Sequence, residues 1–214
     1  MQDFPVYLRT KADGLFDTII RGLESYLNPC IFCPRQCRAS RTDDALGYCK
    51  APYNLIISSA FPHFGEESPL TGSHGSGTIF LAHCNLKCIF CQNYDISIYG
   101  NGSPCSYSQL ATLMMELQVR GCHNINFVTP THYVPHLVRA LSMAIDMGLT
   151  VPIVYNCGGY ESLEVIRLLD GIVDIYMPDI KLLDPALSRS FCKAENYPEV
   201  VKSVIKEMQR QVGD

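Results

Sequence analysis

The chain has 214 residues, 47% of them hydrophobic and 18% charged, which is enough apolar material for a core and excludes wholesale disorder. Its 17 basic and 21 acidic side chains leave a formal net charge of −4, so nothing electrostatic draws it to nucleic acid or to an anionic membrane. The first residues lack the basic-then-apolar order of a secretory signal, and no apolar run approaches the roughly 18 residues that span a bilayer, so the expectation is a soluble, cytoplasmic protein.

Along the chain, Asp13 to Leu27 carry Leu15, Phe16, Ile19, Ile20, Leu23 and Leu27 on one stripe, which predicts an amphipathic helix. Residues 28–52 follow with four cysteines and little apolar periodicity, the composition of a segment held by a ligand rather than by its own core. Residues 62–77 are glycine-rich, contain His63 and His74, and predict a loop. From Thr78 the pattern turns regular. Strands are predicted at Thr78–Ala82, Ile125–Val128, Val151–Tyr155 and Ile172–Met177. Between and after them come helices capped by Ser108 and stopped by Gly121, at Val134–Met147, at Glu161–Leu169, and from Pro198 onward. Such alternation predicts an α/β protein with parallel strands joined by crossovers, either a doubly wound sheet or a piece of a curved barrel. Residues 1–76 then form an amino-terminal helix and four-cysteine segment, and residues 77–214 the α/β core. The fourth strand has no successor, so its edge needs a partner or more chain.

Cysteine is the outlier, with 11 in the chain and no secretory signal, which points to metal or redox chemistry rather than disulfides. The first predicted strand runs into His83-Cys84-Asn85-Leu86-Lys87-Cys88-Ile89-Phe90-Cys91-Gln92-Asn93-Tyr94, a C-x3-C-x2-C spacing. Three thiolates so placed wrap one face of an iron–sulfur cube and leave its fourth iron open to a substrate or cofactor. Zinc would want a fourth protein ligand, for which His83 stands adjacent, and three buried thiols packed as small hydrophobes are the third reading.

This stretch closely resembles the cluster loop of radical S-adenosylmethionine enzymes, above all the branch related to pyruvate formate-lyase activating enzyme. The resemblance runs from about Cys30 to Asp214. It implies a partial (β/α) barrel of about four strand–helix units, shortened at its carboxyl end. It also implies a [4Fe–4S] cluster on Cys84, Cys88 and Cys91 whose open iron binds S-adenosylmethionine. The implied activity is an oxidoreductase reaction, the reductive cleavage of the cofactor to a 5′-deoxyadenosyl radical that abstracts a hydrogen atom. A glycyl radical enzyme is the implied protein substrate, and a flavodoxin or ferredoxin the implied electron donor.

Carried over position by position, Phe90 matches an aromatic near the adenine, with a core phenylalanine as the other reading. Thr129, Thr131 and His132 stand where the family has two glycines and an acid receiving the methionine amino group; His132 is equally suited to a helix entry. Asn156, before Gly158 and Gly159, and Asp179 with Lys181 match segments around the cofactor and its monovalent cation. Asp179 and Lys181 stand two apart and point the same way on an extended strand, so an ion pair is the alternative. No catalytic residue is assigned.

Cys30, Cys33, Cys37 and Cys49 make a second set, C-x2-C-x3-C-x11-C, suited to a closed tetrathiolate site for zinc or a second iron–sulfur cluster, with reduced structural thiols as the alternative. Arg35, Arg38 and Arg41 either neutralise such a cluster or are solvated. Cys105, Cys122, Cys157 and Cys192 lack ligand spacing and are read as packing residues. Two other functions compete: a non-enzymatic iron–sulfur or zinc protein, and an inactive truncated remnant of a radical enzyme.

Overall fold

The computed structural model describes residues 4–43 and 45–213, beginning with two short helices, α1 (Val6–Ala12) and α2 (Phe16–Glu24). The predicted stripe lies on α2, which buries Phe16, Ile20 and Leu23, while α1 is a separate helix that precedes it. α1 is pinned to the base of the sheet, where the Tyr7 hydroxyl donates to the Val151 carbonyl at 2.8 Å and the Val6 N–H to Asp174 Oδ1 at 2.7 Å. Among its described residues the cysteine segment that follows holds a 3-10 turn at Arg41–Asp43 and opens on an isolated bridge between Leu27 and Cys30.

The remaining elements are β1 (Ile56–His63), α3 (Ser68–Thr71), β2 (Ser76–Leu81), α4 (Tyr94–Ser97), β3 (Ser103–Pro104) and α5 (Tyr107–Val119). After them come β4 (Ile125–Val128), α6 (Val134–Asp146), β5 (Ile153–Cys157), α7 (Leu163–Leu168), β6 (Ile175–Pro178), α8 (Pro185–Cys192) and α9 (Tyr197–Val212). One open six-stranded sheet results, in the order β3-β1-β2-β4-β5-β6. Its strands β2, β4, β5 and β6 are parallel and are the four predicted ones, so the α/β partial-barrel class holds. β1 and α8 are unannounced: β1 pairs antiparallel with β2 and with β3. The cap of α5 also moves. Ser106, not Ser108, accepts the Gln109 N–H at 3.2 Å while the Gln109 side chain accepts the Ser106 N–H at 2.8 Å, a reciprocal capping box.

The register sorts the sheet into two faces. Ile79, Phe127, Tyr155 and Tyr176 lie abreast and join the apolar core with residues of α5, α6 and α7. The opposite face carries Thr78, Asn126, Val154 and Ile175 in one row and Phe80, Val128, Asn156 and Met177 in the next. Because the four strands are parallel, the loops after β2, β4, β5 and β6 all gather at one end, the mouth where α/β sites form. Among the described residues no helix is long and apolar enough to cross a membrane.

Candidate metal and cofactor site

The loop after β2 is anchored by its apolar residues. Leu86 and Cys88 are buried with Tyr160, Cys192, Tyr197 and Val201, and Cys84 and Cys91 pack against the same cluster. The Ile89 N–H donates to the Phe191 carbonyl at 3.0 Å, which fastens the loop to α8. Each thiol has its own neighbour: Cys84 Sγ accepts the Leu86 N–H at 3.3 Å, Cys88 Sγ meets Cys192 Sγ at 3.5 Å, and Cys91 Sγ meets Ser97 Oγ at 3.1 Å. Cys192 thus touches the predicted ligand set rather than merely filling space. Burial pushes the Cys84 thiol up to about 12 and Cys88 also well up, so the free thiols are neutral and a metal must displace their protons.

Each thiolate of a cube takes its own iron, whereas a single-ion site draws its donors around one point. Among the described residues no group of three or more His, Cys, Asp and Glu side chains is spaced for one ion. Cys84, Cys88 and Cys91 are a donor set of three thiols in one loop, the number that would hold three corners of a cube. A closed zinc site would need a fourth protein donor, and the His83 ring lies against Gly100, where a Cβ would stand 2.3 Å from its Cε1.

Lys181 and Asp179 stand at the mouth after β6. Lys181 Nζ donates to Asp179 Oδ2 at 2.6 Å, the ion pair that the sequence left open, and its charge also acts on Cys84 and Cys88. The mouth is held by Tyr197 of α9, whose hydroxyl lies 2.9 Å from the Gly158 carbonyl and 2.7 Å from that of Asp179 and accepts the Lys181 N–H at 3.0 Å. Asn156 is half-buried on the face away from the helices, and the Thr129 N–H donates to its carbonyl at 2.8 Å. Asn126, fully buried on that same face, has neither amide atom hydrogen-bonded. Phe90 is 52% exposed on the loop itself.

Thr131 and His132 are carried elsewhere. Thr129 has φ +59°, and a 3-10 turn at Thr131–Tyr133 then turns the chain behind the sheet. There Thr131 Oγ1 donates to Glu161 Oε1 at 2.8 Å, and His132 Nε2 lies 2.8 Å from the Ala82 carbonyl. Burial holds His132 down to about 3, so it is neutral and engaged with backbone.

Glu161 was not foreseen: its partner Thr131 lies 30 residues away in sequence. It is 1% exposed, and Tyr155 also donates to it, at 3.0 Å. Burial raises its carboxyl from 4.5 to about 7. The folded chain therefore keeps a proton that the unfolded chain releases, and stability present at acid pH is lost as pH rises through about 7. Glu161→Gln is expected to gain on the unsubstituted chain in urea melts between about pH 5 and about pH 8, by up to about 3 kcal/mol. Parallel stability curves would contradict the burial account.

In the amino-terminal segment the four cysteines are neighbours. Cys30 feels Cys37 and Cys49, Cys33 feels Cys49 and Cys30, and Cys37 is in side-chain contact with Cys30. Gly47 permits this approach, since a Cβ there would fall 2.4 Å from Cys37 Sγ. Arg35 ties the segment to the cluster loop: Nε donates to the Asn85 carbonyl at 3.0 Å, Nη2 to the Cys192 carbonyl at 3.2 Å, and the guanidinium lies 4.0 Å from the Tyr48 ring centre and 5.0 Å from that of Tyr160. Arg41 is buried and Arg38 exposed.

Comparison with known proteins agrees with this geometry. The family model of the radical SAM superfamily matches residues 78–212, from β2 to the end of α9. An uncharacterized protein of Methanocaldococcus jannaschii is 32% identical over 198 residues, covering 88% of this chain. The chain spans about half, 56%, of that protein's length. No solved structure matches it.

Proposed function

The chain belongs to the radical SAM superfamily, and we propose that it cleaves S-adenosylmethionine reductively and uses the product for hydrogen-atom abstraction, in the manner of a glycyl-radical activating enzyme. The observation that carries this reading is the placement of Cys84, Cys88 and Cys91 in one loop at the mouth of four parallel strands. When bound, the [4Fe–4S] cluster and S-adenosylmethionine supply a one-electron cleavage of the sulfonium, yielding methionine and the 5′-deoxyadenosyl radical.

The three thiolates hold the cluster, and the buried wall of Leu86, Tyr160 and Val201 keeps water from one side of it. Lys181 sets a positive charge beside Cys84 and Cys88, which favours their thiolate forms. Asn156 and Asp179 offer oxygen acceptors to the cofactor, with Thr129 at the turn beside them. Asn126 lies on the same face with the Glu66 carboxyl beside it, a polar pair on the floor of the mouth. Phe90, exposed on the loop, would offer its ring to the adenine. Thr131 and His132 support that turn from behind. The radical core is residues 77–214, and Cys30, Cys33, Cys37 and Cys49 form a separate zinc or iron–sulfur site in the segment before it.

The wide mouth of an open sheet suits a peptide loop bearing the target glycine, and a flavodoxin or ferredoxin supplies the electron. Anaerobically reconstituted protein with dithionite is expected to convert S-adenosylmethionine to 5′-deoxyadenosine and methionine. A loaded cluster with no 5′-deoxyadenosine formed would leave the non-enzymatic iron–sulfur reading in its place.

A further inference from the structure

The sheet face away from α5, α6 and α7 ends, at β1 and β2, in a cluster of rings. Phe61 and Phe80 stack with ring centres 5.7 Å apart and planes 21° from parallel, and the His63 ring meets both edge-on, at 5.6 and 6.1 Å. Phe61 is 38% exposed, while Phe80 and His63 are half-buried, so the rings form a shelf open to solvent and not a part of the core. Phe80 stands four positions before Cys84, which puts this shelf on the strand that feeds the cluster loop. An uncovered aromatic shelf beside a cofactor mouth is the surface that a ligand covers.

The shelf runs into a polar corner. Strand register sets Phe61, Thr78 and Asn126 abreast on β1, β2 and β4, about 10 Å from first to last. Asn126 is fully buried, and neither of its amide atoms is hydrogen-bonded. The segment after β1 closes the corner from below. Gly65 lies against the His63 ring, where a Cβ would stand 2.9 Å from Nε2, and Asn124 Nδ2 donates to the Leu70 carbonyl at 2.8 Å. Glu66 falls between these two anchors, half-buried, with its carboxyl beside Asn126 and His63. Among the described residues Glu66 takes part in no ion pair, and the charged neighbours that act on it beyond His63 are two more carboxylates, Glu67 and Asp179. A half-buried carboxylate in acidic company is unfavourable as it stands, and a bound cation relieves it.

We propose that this corner recognises the substrate through a positively charged group, a guanidinium or ammonium, with the Phe61–Phe80 shelf against the cation and Glu66 and Asn126 accepting its N–H hydrogens. It rests on the radical-enzyme reading above and deepens it by naming the charge of the substrate. Ring faces attract a cation, the carboxylate pairs with it in partly desolvated surroundings, and the amide oxygen accepts without adding charge. A neutral apolar group would cover the shelf but leave Glu66 and Asn126 unpaired, so the corner discriminates against it. The same chemistry serves a free small molecule and a basic side chain in a peptide loop, and the test separates the two.

The test is calorimetric titration of the anaerobically reconstituted full chain, in the presence of S-adenosylmethionine, with N-acetylarginine amide and with its uncharged isostere N-acetylcitrulline amide. The arginine probe is expected to bind on the order of tenfold more tightly than the citrulline probe. Glu66→Gln is expected to remove on the order of tenfold of the arginine affinity while leaving citrulline unchanged, and Phe61→Ala to weaken arginine several-fold. Should Phe61→Ala not fold, Glu66→Gln decides alone. Agmatine and an acetylated Gly-Arg-Gly amide then distinguish the sources, since the tighter of the two marks a small molecule or a peptide loop. Equal affinity for the arginine and citrulline probes, no binding of either, or an arginine affinity that Glu66→Gln leaves unmoved overturns the proposal. 5′-Deoxyadenosine is counted in the same samples. Its formation without any preference for the cation sinks the recognition corner alone, whereas a Glu66-dependent preference without 5′-deoxyadenosine sinks the radical-enzyme reading and leaves the cation site.

Discussion

Replacing Cys84 by alanine is expected to reduce 5′-deoxyadenosine formation to the uncatalysed background while leaving the chain folded. In the proposed site the thiolate is one of three protein ligands to a cluster that leaves one iron open, and a cube held by two cysteines loses iron. The cost to the fold is small. Cys84 is only partly buried, it lies at the edge of the apolar cluster under α9, and its sulfur takes one backbone N–H, from Leu86 at 3.3 Å. Removing it forfeits about 1 kcal/mol for that contact. The measurement is paired: iron and sulfide on the reconstituted variant, and product by chromatography. Undiminished turnover with full iron content would move the cluster elsewhere in the chain. By contrast Cys105, which packs at the edge of the main core with its thiol 3.5 Å from the Ser106 carbonyl, is expected to be replaceable by alanine without loss of turnover.

Gly159→Ala is expected to cost about 2 to 4 kcal/mol of stability, a drop of several degrees or more in the melting temperature. Gly159 has φ +71°, a conformation that penalises any L side chain. A Cβ there would also stand 2.7 Å from Val201 Cγ2 and 2.8 Å from the Asp179 carbonyl oxygen. The carbonyl cannot yield easily, because the Tyr197 hydroxyl holds it at 2.7 Å. Any relaxation pushes the end of β6 and Lys181 outward, so cofactor affinity falls together with stability. Gly158→Ala is the control: its Cβ would meet only the side chain of Leu86, at 3.0 Å, and Lys181 at 3.6 Å. About 1 kcal/mol is expected there. Equal losses at the two positions would contradict this account of Gly159.

The cluster loop was legible because its chemistry lies in eight consecutive residues and follows a strand whose apolar run is unmistakable. The parallel strands were legible for a related reason: β2, β4 and β5 are largely buried and, with the half-buried β6, read as short, mostly apolar runs. β1 was hidden because Ser58, Ser59 and Pro62 break the pattern that an outlying antiparallel strand would show, and the glycines that follow suggested one long loop. α8 opens with Pro185 on an Asp184 cap, a signal obscured by the turn residues around it.

At the site, pattern placed Asn156, Asp179 and Lys181 at the mouth, because strand ends follow from strand assignments. It could not foresee that Thr129 would reverse the chain and carry Thr131 and His132 behind the sheet. Nor could it find Glu161 or Tyr197, or separate Arg35 and Arg41 from the solvated Arg38. Their roles rest on partners brought together only by folding: Glu161 reaches Thr131 across 30 residues, Arg35 reaches Asn85 across 50, and Arg41 reaches His132 across 91. The arginines illustrate the limit well. Three basic residues follow one another at intervals of three, yet Arg35 clamps two loops, Arg38 is solvated, and Arg41 is buried.

The central claim is that the loop of Cys84, Cys88 and Cys91 presents an open iron to S-adenosylmethionine. It is tested most directly by electron paramagnetic resonance of the anaerobically reconstituted, reduced protein, recorded with and without S-adenosylmethionine. The prediction is a [4Fe–4S]⁺ signal whose shape changes when the cofactor is added and which is lost in the Cys88→Ala variant. A cluster signal indifferent to S-adenosylmethionine, or one that persists unchanged without Cys88, would contradict it.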